Sequence, residues 1–76
     1  MNNREKIKRF CKENNLEIDL LKCQKASLSN FLPCSWCLFL EDGNYYESDI
    51  CEDSVDIAVD KMLIEINIDY NLVKYE

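Results

Sequence analysis

Two cysteines separated by two positions, Cys34 and Cys37, form the motif in this chain that most directly suggests chemistry. A reactive Cys-x-x-Cys pair normally lies where a strand meets a helix, because the helix N-terminus lowers the pKa of a thiol. Here the pair instead opens an apolar run, residues 34–40, that is typical of a strand. Residues three apart on a strand point to opposite faces. The sequence therefore favours a structural role for the motif over a redox role.

A zinc site is the alternative interpretation of the cysteines. A structural zinc site needs four ligands, and the chain has no histidine to supply one. The site would have to consist of Cys23, Cys34, Cys37 and Cys51, whose spacing contains no second Cys-x-x-Cys. The main prediction is that the thiols are reduced and that Cys11, Cys23, Cys37 and Cys51 lie in or near the core. An odd total of five cysteines cannot be fully paired within one chain.

Other catalytic constellations are missing from the composition. Without histidine there is no base for nucleophilic catalysis of the Ser-His or Cys-His type. A single glycine cannot build a phosphate-binding loop. Carboxylates are abundant, but no two of them stand out as a general acid and base. The sequence therefore predicts a protein that is not an enzyme, and it calls for no cofactor.

The carboxylates are unevenly distributed along a chain of net charge −6. Residues 1–25 contain seven Lys and Arg against four Asp and Glu, whereas residues 41–60 contain eight carboxylates and no base. This acidic segment is either a solvated face or a surface that recognises a basic partner. Direct binding to DNA or RNA is not expected, because phosphate neutralisation needs a basic surface. The candidate partner-binding residues are Asp42, Tyr45, Glu47, Asp49, Glu52, Asp53 and Asp56.

The elements that would position these residues begin with a helix. Asn2 or Asn3 can cap a helix that runs to about Asn14. Its apolar face would consist of Ile7, Phe10 and Cys11. A strand should follow, because Leu16, Ile18 and Leu20 alternate with acidic residues, and residues 25–33 have the composition of a loop.

A β-hairpin is the clearest local signal. The apolar strand Cys34 to Leu40 leads into the turn Asp42-Gly43-Asn44, and the return strand is predicted from Tyr45 to Cys51. If that strand were extended throughout, Glu47 and Asp49 would lie about 6.6 Å apart in a row on one side. Apolar residues on both faces of the first strand indicate a central strand.

The remaining residues predict a second helix. Asp53 or Ser54 can cap it, with Asp56 in the first turn, and the helical pattern extends to about Ile66. Residues 62–72 also alternate as a strand would, so residues 67–76 can form helix, a fourth strand or a tail. The predicted fold is one α+β domain, residues 1–76: a helix, a three-stranded antiparallel sheet and a C-terminal helix.

The longest apolar run, residues 36–40, is far shorter than the roughly 20 residues of a membrane span. No signal peptide is visible, so a cytoplasmic location is expected.

This order of elements resembles the small phage-borne Cas9 inhibitors, anti-CRISPR proteins that mimic the DNA read at the PAM-binding site. The similar span is about Leu38 to Leu63, and the shared residues are chiefly Asp42, Gly43, Asn44, Tyr46 and Glu52. The layout is also similar to other small phage α+β proteins and to antitoxin-like domains. The resemblance implies a basic nucleic-acid-binding host protein, such as a CRISPR effector, as the partner.

The resemblance further implies which carboxylates would mimic DNA: Asp42, Glu47, Asp49, Glu52 and Asp53. The leading expectation is thus a non-enzymatic phage or mobile-element inhibitor. Two alternatives stay open at this point. One is a structural or dimerising module with a merely solvating acidic face, and the other is a small zinc-binding protein with four cysteine ligands.

Overall fold

A computed structural model describes residues 1–25 and 34–72, and these residues form two helices and three strands. The chain order is α1 (Asn3–Glu13), β1 (Ile18–Lys25), β2 (Cys34–Leu40), β3 (Tyr45–Glu47) and α2 (Ile57–Tyr70). The strands form one antiparallel sheet in the order β1-β2-β3. The predicted α+β fold is confirmed. Of the predicted loop 25–33, only Lys25 lies among the described residues, where it ends β1.

Helix α1 has the predicted bounds and the predicted buried face. The side chain of Asn2 caps it by accepting a hydrogen bond from the backbone N–H of Glu5 at 2.9 Å. Asn3 is also fully buried, although the sequence pattern does not mark it as a core position. The three apolar residues predicted for the core are buried: Ile7, Phe10 and Cys11.

Strand β1 differs from the prediction in its position and in the residues that face the core. It begins at Ile18 and continues to Lys25, and its register against β2 shifts between Ile18 and Leu20. Such an irregularity moves the following side chains to the opposite face of the sheet. The prediction that Leu20 faces the core was therefore wrong, since it is 45% exposed, and Leu21 and Cys23 pack against the core instead.

The hairpin is confirmed at β2 and at its turn, but the return strand is shorter than predicted. Gly43 has a φ of 95°, a left-handed conformation that favours glycine. Strand β3 ends at Glu47. The backbone N–H of Ser48 still donates to the Trp36 carbonyl at 2.9 Å, but the N–H of Trp36 donates to the Ser48 hydroxyl, at 2.9 Å, and not to a backbone carbonyl. Further along, Cys51 forms an isolated bridge with Cys34, and its backbone N–H donates to the Cys34 carbonyl at 2.8 Å.

Helix α2 begins later and ends later than the sequence pattern indicates. Its cap is Asp56, not Asp53 or Ser54, so the prediction of the start was wrong by two to three residues. The helix continues to Tyr70 and is ended by Asn71, whose φ of 52° is left-handed. The alternative of a fourth strand is therefore wrong for residues 67–70, and residues 73–76 lie outside the described part.

One hydrophobic core joins both helices to one face of the sheet. The β2 residues Trp36, Leu38 and Leu40 form this face together with Tyr46 of β3. Strand β2 is central, as predicted, and Cys37 on its other face is also buried. The helical residues in the core are Ile7, Phe10, Cys11, Val59, Met62, Leu63 and Ile66.

Among residues 1–25 and 34–72, no helix has the length and apolar character needed to cross a bilayer.

Candidate functional site

The predicted partner-binding residues lie on and around the free edge of the sheet. Strand β3 is an edge strand, and the turn before it and the segment after it are exposed. The turn lies at one end of β2, and the bridge to Cys51 lies at the other end. A seven-residue strand is about 20 Å long, so the candidate residues are spread over roughly that distance. We call the following set the acidic edge: Asp42, Tyr45, Glu47, Asp49, Glu52, Asp53 and Asp56.

At the turn, Asp42 is held as a fixed anion. Its carboxylate accepts hydrogen bonds from the backbone N–H of Asn44, at 2.9 Å, and from the hydroxyl of Tyr70 in α2. The Tyr70 hydrogen bond, followed by that of Asn44, lowers the pKa of the Asp42 carboxyl below its ordinary value. The carboxylate is exposed but has a defined position, which is the property that a recognition surface requires.

On β3, Tyr45 and Glu47 form a second fixed group. The Tyr45 hydroxyl and the Cys37 thiol, with sulfur and oxygen 3.4 Å apart, both donate to one Glu47 oxygen. These two hydrogen bonds lower the pKa of Glu47, and the same Glu47 contact raises the pKa of Tyr45. The Tyr45 ring packs against Phe39 with a centroid distance of 4.4 Å. Glu47 is therefore ionised and oriented at neutral pH.

The segment after β3 holds the remaining carboxylates, and it is not part of the strand. Since β3 ends at Glu47, the expected single row of Glu47 and Asp49 on one strand is interrupted. Glu52 and Asp53 are exposed, while their backbone carbonyls accept hydrogen bonds from Asn3. Asp56 is half-buried, and one of its oxygens caps α2 by accepting from the Ala58 N–H at 2.6 Å. Asp56 is thus the member of the set with the least capacity for a partner.

Three further carboxylates, which sequence reasoning missed, extend the acidic surface past the hairpin turn. The backbone N–H of Glu41 donates to the Glu17 carbonyl at 3.0 Å, which brings the two side chains together. A hydrogen bond with Glu17 and the charges of Glu17 and Asp19 raise the pKa of Glu41. The pairing of β1 with β2 creates this cluster, and the only sequence signal is the acidic alternation at Glu17 and Asp19. A cleft of about 400 Å³ is lined there by Asn15, Leu16, Glu17, Leu40, Glu41, Asp42 and Tyr70.

The ion pairs among the described residues do not involve the acidic edge. The two ion pairs within residues 1–25 and 34–72 are Lys6–Asp60, at 2.5 Å, and Arg9–Glu13, at 3.0 Å. The Arg4 guanidinium lies over the Trp36 ring, 5.1 Å from its centroid. No carboxylate of the acidic edge is neutralised by a cation in this part of the chain.

The cysteines do not all have the state expected from the sequence. Cys23 and Cys34 form a disulfide, so the prediction that Cys23 is a reduced thiol was wrong. The longer β1 places Cys23 across from Trp36, close enough to reach Cys34 on the neighbouring strand. The free thiols of Cys11, Cys37 and Cys51 are buried, as predicted.

The environments of Cys11 and Cys51 do not favour thiol reactivity. Burial raises the pKa of Cys11 to about 11 and also raises that of Cys51, and a raised pKa disfavours the reactive thiolate. Within the described ranges, no group of three or more His, Cys, Asp or Glu side chains is arranged to hold a metal ion. The zinc alternative would require Cys23, Cys34, Cys37 and Cys51, of which the first two are bonded to each other.

No protein-family model matches the chain, and no curated protein or solved structure is significantly similar to it.

Proposed function

We propose that this protein is a non-enzymatic inhibitor from a phage or another mobile element. It binds a basic nucleic-acid-handling host protein, such as a CRISPR effector, in the bacterial cytoplasm. The acidic edge acts as a substitute for the phosphates that this partner would otherwise contact. The observation that carries the proposal is a set of exposed carboxylates along about 20 Å of a sheet edge, none of them paired with a cation among residues 1–25 and 34–72.

The electrostatics of the edge support this role. Hydrogen bonds lower the pKa values of Asp42 and Glu47, so both stay charged at neutral pH. A net charge of −6 attracts a basic partner over a distance and accelerates the encounter. The basic groove of a nucleic-acid-binding protein is built for such an array of anions.

The rigidity of the edge supports it as well. Asp42 is tied to Tyr70, Glu47 to Tyr45, and the backbone at Glu52 to Asn3. Groups that are ordered before binding lose less conformational entropy when a partner arrives. Tyr45, which is 46% exposed, adds an aromatic group of the kind that often anchors protein interfaces.

The test is a capture experiment with the tagged protein in a nuclease-treated bacterial lysate, followed by mass spectrometry. We expect a basic nucleic-acid-binding protein that is released by salt and displaced by added duplex DNA. Failure of duplex DNA to displace the captured protein would contradict the proposed mimicry of phosphates.

A pair of charge-reversal variants sharpens the test. Glu47→Lys/Asp49→Lys changes the acidic edge, and the matched control Glu5→Lys/Glu13→Lys changes exposed carboxylates on α1. Both variants raise the net charge from −6 to −2, since each reversal adds two charges. We expect the first variant to lose affinity for the captured partner about tenfold or more, and the control to lose much less. Equal losses would mean that only net charge matters and that the acidic edge is a solvating face.

A further inference from the structure

Helix α2 is apolar on two opposite faces, and only one of them is used by the core. Val59 and Ile66 represent the inward face and are fully buried. On the outward face, Ile57, Ile64 and Ile68 are 73%, 45% and 70% exposed. At about 100° per residue, the three outward isoleucines lie within about 40° of one another, on the side opposite the core. A helix that is apolar on both sides is normally covered on both sides.

A single cation lies within this outward stripe. Lys61 is the only basic residue of α2, and it occupies the same helical face as the isoleucines. Within the described part of the chain, Lys61 has no ion pair, although Glu65 lies one turn further along the helix. We define the isoleucine stripe as Ile57, Lys61, Ile64 and Ile68.

The spacing of the isoleucine stripe is the same when it is read in either direction. Its four residues are separated by four, three and four positions. If two copies of α2 lie antiparallel, Ile57 faces the partner's Ile68, and the aliphatic stem of Lys61 covers the partner's Ile64. Lys61 then lies within one residue, about 1.5 Å along the axis, of the partner's Glu65. A two-fold interface requires a surface that is complementary to itself in this sense.

We propose that a second copy of this chain covers the isoleucine stripe, giving a homodimer with antiparallel α2 helices and reciprocal Lys61–Glu65 ion pairs. Of the acidic edge only Asp56, the cap of α2, borders this contact, and the other members precede the helix, so the dimer and the proposed inhibitor function are separate claims. A helix of 14 residues is about 21 Å long, so the contact falls below the roughly 1,200 Å² of a standard stable interface. We therefore expect a weak dimer, with a dissociation constant on the order of 100 μM.

Sedimentation velocity between about 10 μM and 1 mM tests the dimer, because this range brackets the expected dissociation constant. We expect the weight-average mass to rise from that of a monomer towards that of a dimer. Ile64→Glu should weaken dimerisation at least about tenfold, because it places a carboxylate in the apolar contact. The matched control is Leu20→Glu in β1, since Leu20 has the same exposed fraction of 45% and should leave dimerisation unchanged. A wild-type protein that stays monomeric, or equal effects of the two variants, would overturn the proposal.

A charge swap tests the antiparallel arrangement itself. Lys61→Glu should weaken dimerisation, because it faces the partner's Glu65 with a like charge. The double variant Lys61→Glu/Glu65→Lys should restore it, because the ion pair re-forms with reversed polarity. Urea denaturation of each variant shows whether the monomer has kept its fold. If the double variant dimerises as weakly as Lys61→Glu and has kept its fold, the proposed pairing is refuted.

Discussion

The side-chain amide of Asn3 donates a hydrogen bond to the backbone carbonyl of Glu52, with a nitrogen–oxygen distance of 2.6 Å. The backbone N–H of Asn3 also donates to the carbonyl of Asp53, at 3.3 Å. One fully buried residue therefore ties the start of α1 to the segment that carries two carboxylates of the acidic edge. The segment keeps its shape through backbone contacts, which leaves its side chains free to meet a partner.

We predict that Asn3→Ala lowers the free energy of unfolding by about 1–3 kcal/mol, because the Glu52 carbonyl loses its partner in a partly buried contact. Urea denaturation measures the change. The control is Lys8→Ala, an exposed substitution in the same helix, which should change the free energy by no more than about 0.5 kcal/mol. Equal effects of the two substitutions would mean that the Asn3 contact does not stabilise the fold.

Two isoleucines of α2 should differ strongly in the stability that is lost on truncation to alanine. Ile66 is fully buried and Ile68 is 70% exposed, although a strand would place both on one face. Ile66→Ala should lower the free energy of unfolding by about 2–5 kcal/mol, because it leaves a cavity in the core. Ile68→Ala should change it by no more than about 0.5 kcal/mol. Urea denaturation at low micromolar protein concentration, where the proposed dimer is dissociated, measures both changes. A large loss of stability in Ile68→Ala would contradict the orientation of α2.

The hairpin and α1 could be predicted because their signals are local. The turn Asp42-Gly43-Asn44 supplies the required backbone conformation, and Asn2 supplies a cap directly before a helical stripe. The start of α2 could not be predicted in this way, since Asp53, Ser54 and Asp56 can all act as caps. The bridge of Cys51 to Cys34 and the contacts of Asn3 precede the helix and leave Asp56 as its cap.

The candidate site was predictable only where it is contiguous in sequence. The acidic edge comes from one segment, and the structure keeps most of that segment exposed. The cluster of Glu17 with Glu41 depends on the register between β1 and β2, which composition does not reveal. The same holds for the Cys23–Cys34 disulfide, because the alternating pattern at Leu16, Ile18 and Leu20 does not show which residue of β2 lies beside Cys23.

The disulfide should contribute measurably to stability. It joins residues 11 positions apart. A disulfide that closes a loop of this size lowers the entropy of the unfolded chain and so stabilises the fold by about 2–3 kcal/mol. We expect Cys23→Ser/Cys34→Ser to lower the free energy of unfolding of the oxidised protein by about that amount. Adding reductant should lower the free energy of unfolding of the wild type by a similar amount and leave that of the double variant unchanged. Cys37→Ser is the control for the loss of a thiol. Peptide mapping of this variant without reduction should find the Cys23–Cys34 disulfide. A different pairing in that map would contradict the structure.

Two glutamates should titrate on opposite sides of their ordinary pKa of 4.5. The shared hydrogen bond with Glu17 and the nearby like charges raise the pKa of Glu41, whereas the hydrogen bonds from Tyr45 and Cys37 lower that of Glu47. Because the folded state binds the Glu41 proton more tightly than the unfolded state, stability from Glu41 is lost as the pH rises from about 4.5 through the raised pKa. For Glu47 the sign is reversed, and its contribution is present above about 4.5 and lost as the pH falls through the lowered pKa.

The two isosteric variants should therefore diverge near neutral pH and converge in acid. At about pH 7, Glu41→Gln should be more stable than the wild type, because it removes the repulsion, and Glu47→Gln should be less stable, because it removes a favourable anion. Both differences should shrink as the pH is lowered towards about 3, where the wild-type side chains become protonated. Urea denaturation at the two pH values measures the stabilities, and carboxyl ¹³C NMR follows each titration directly. Titration of Glu41 below Glu47 would show that the hydrogen bonds at the two carboxyls are not those described.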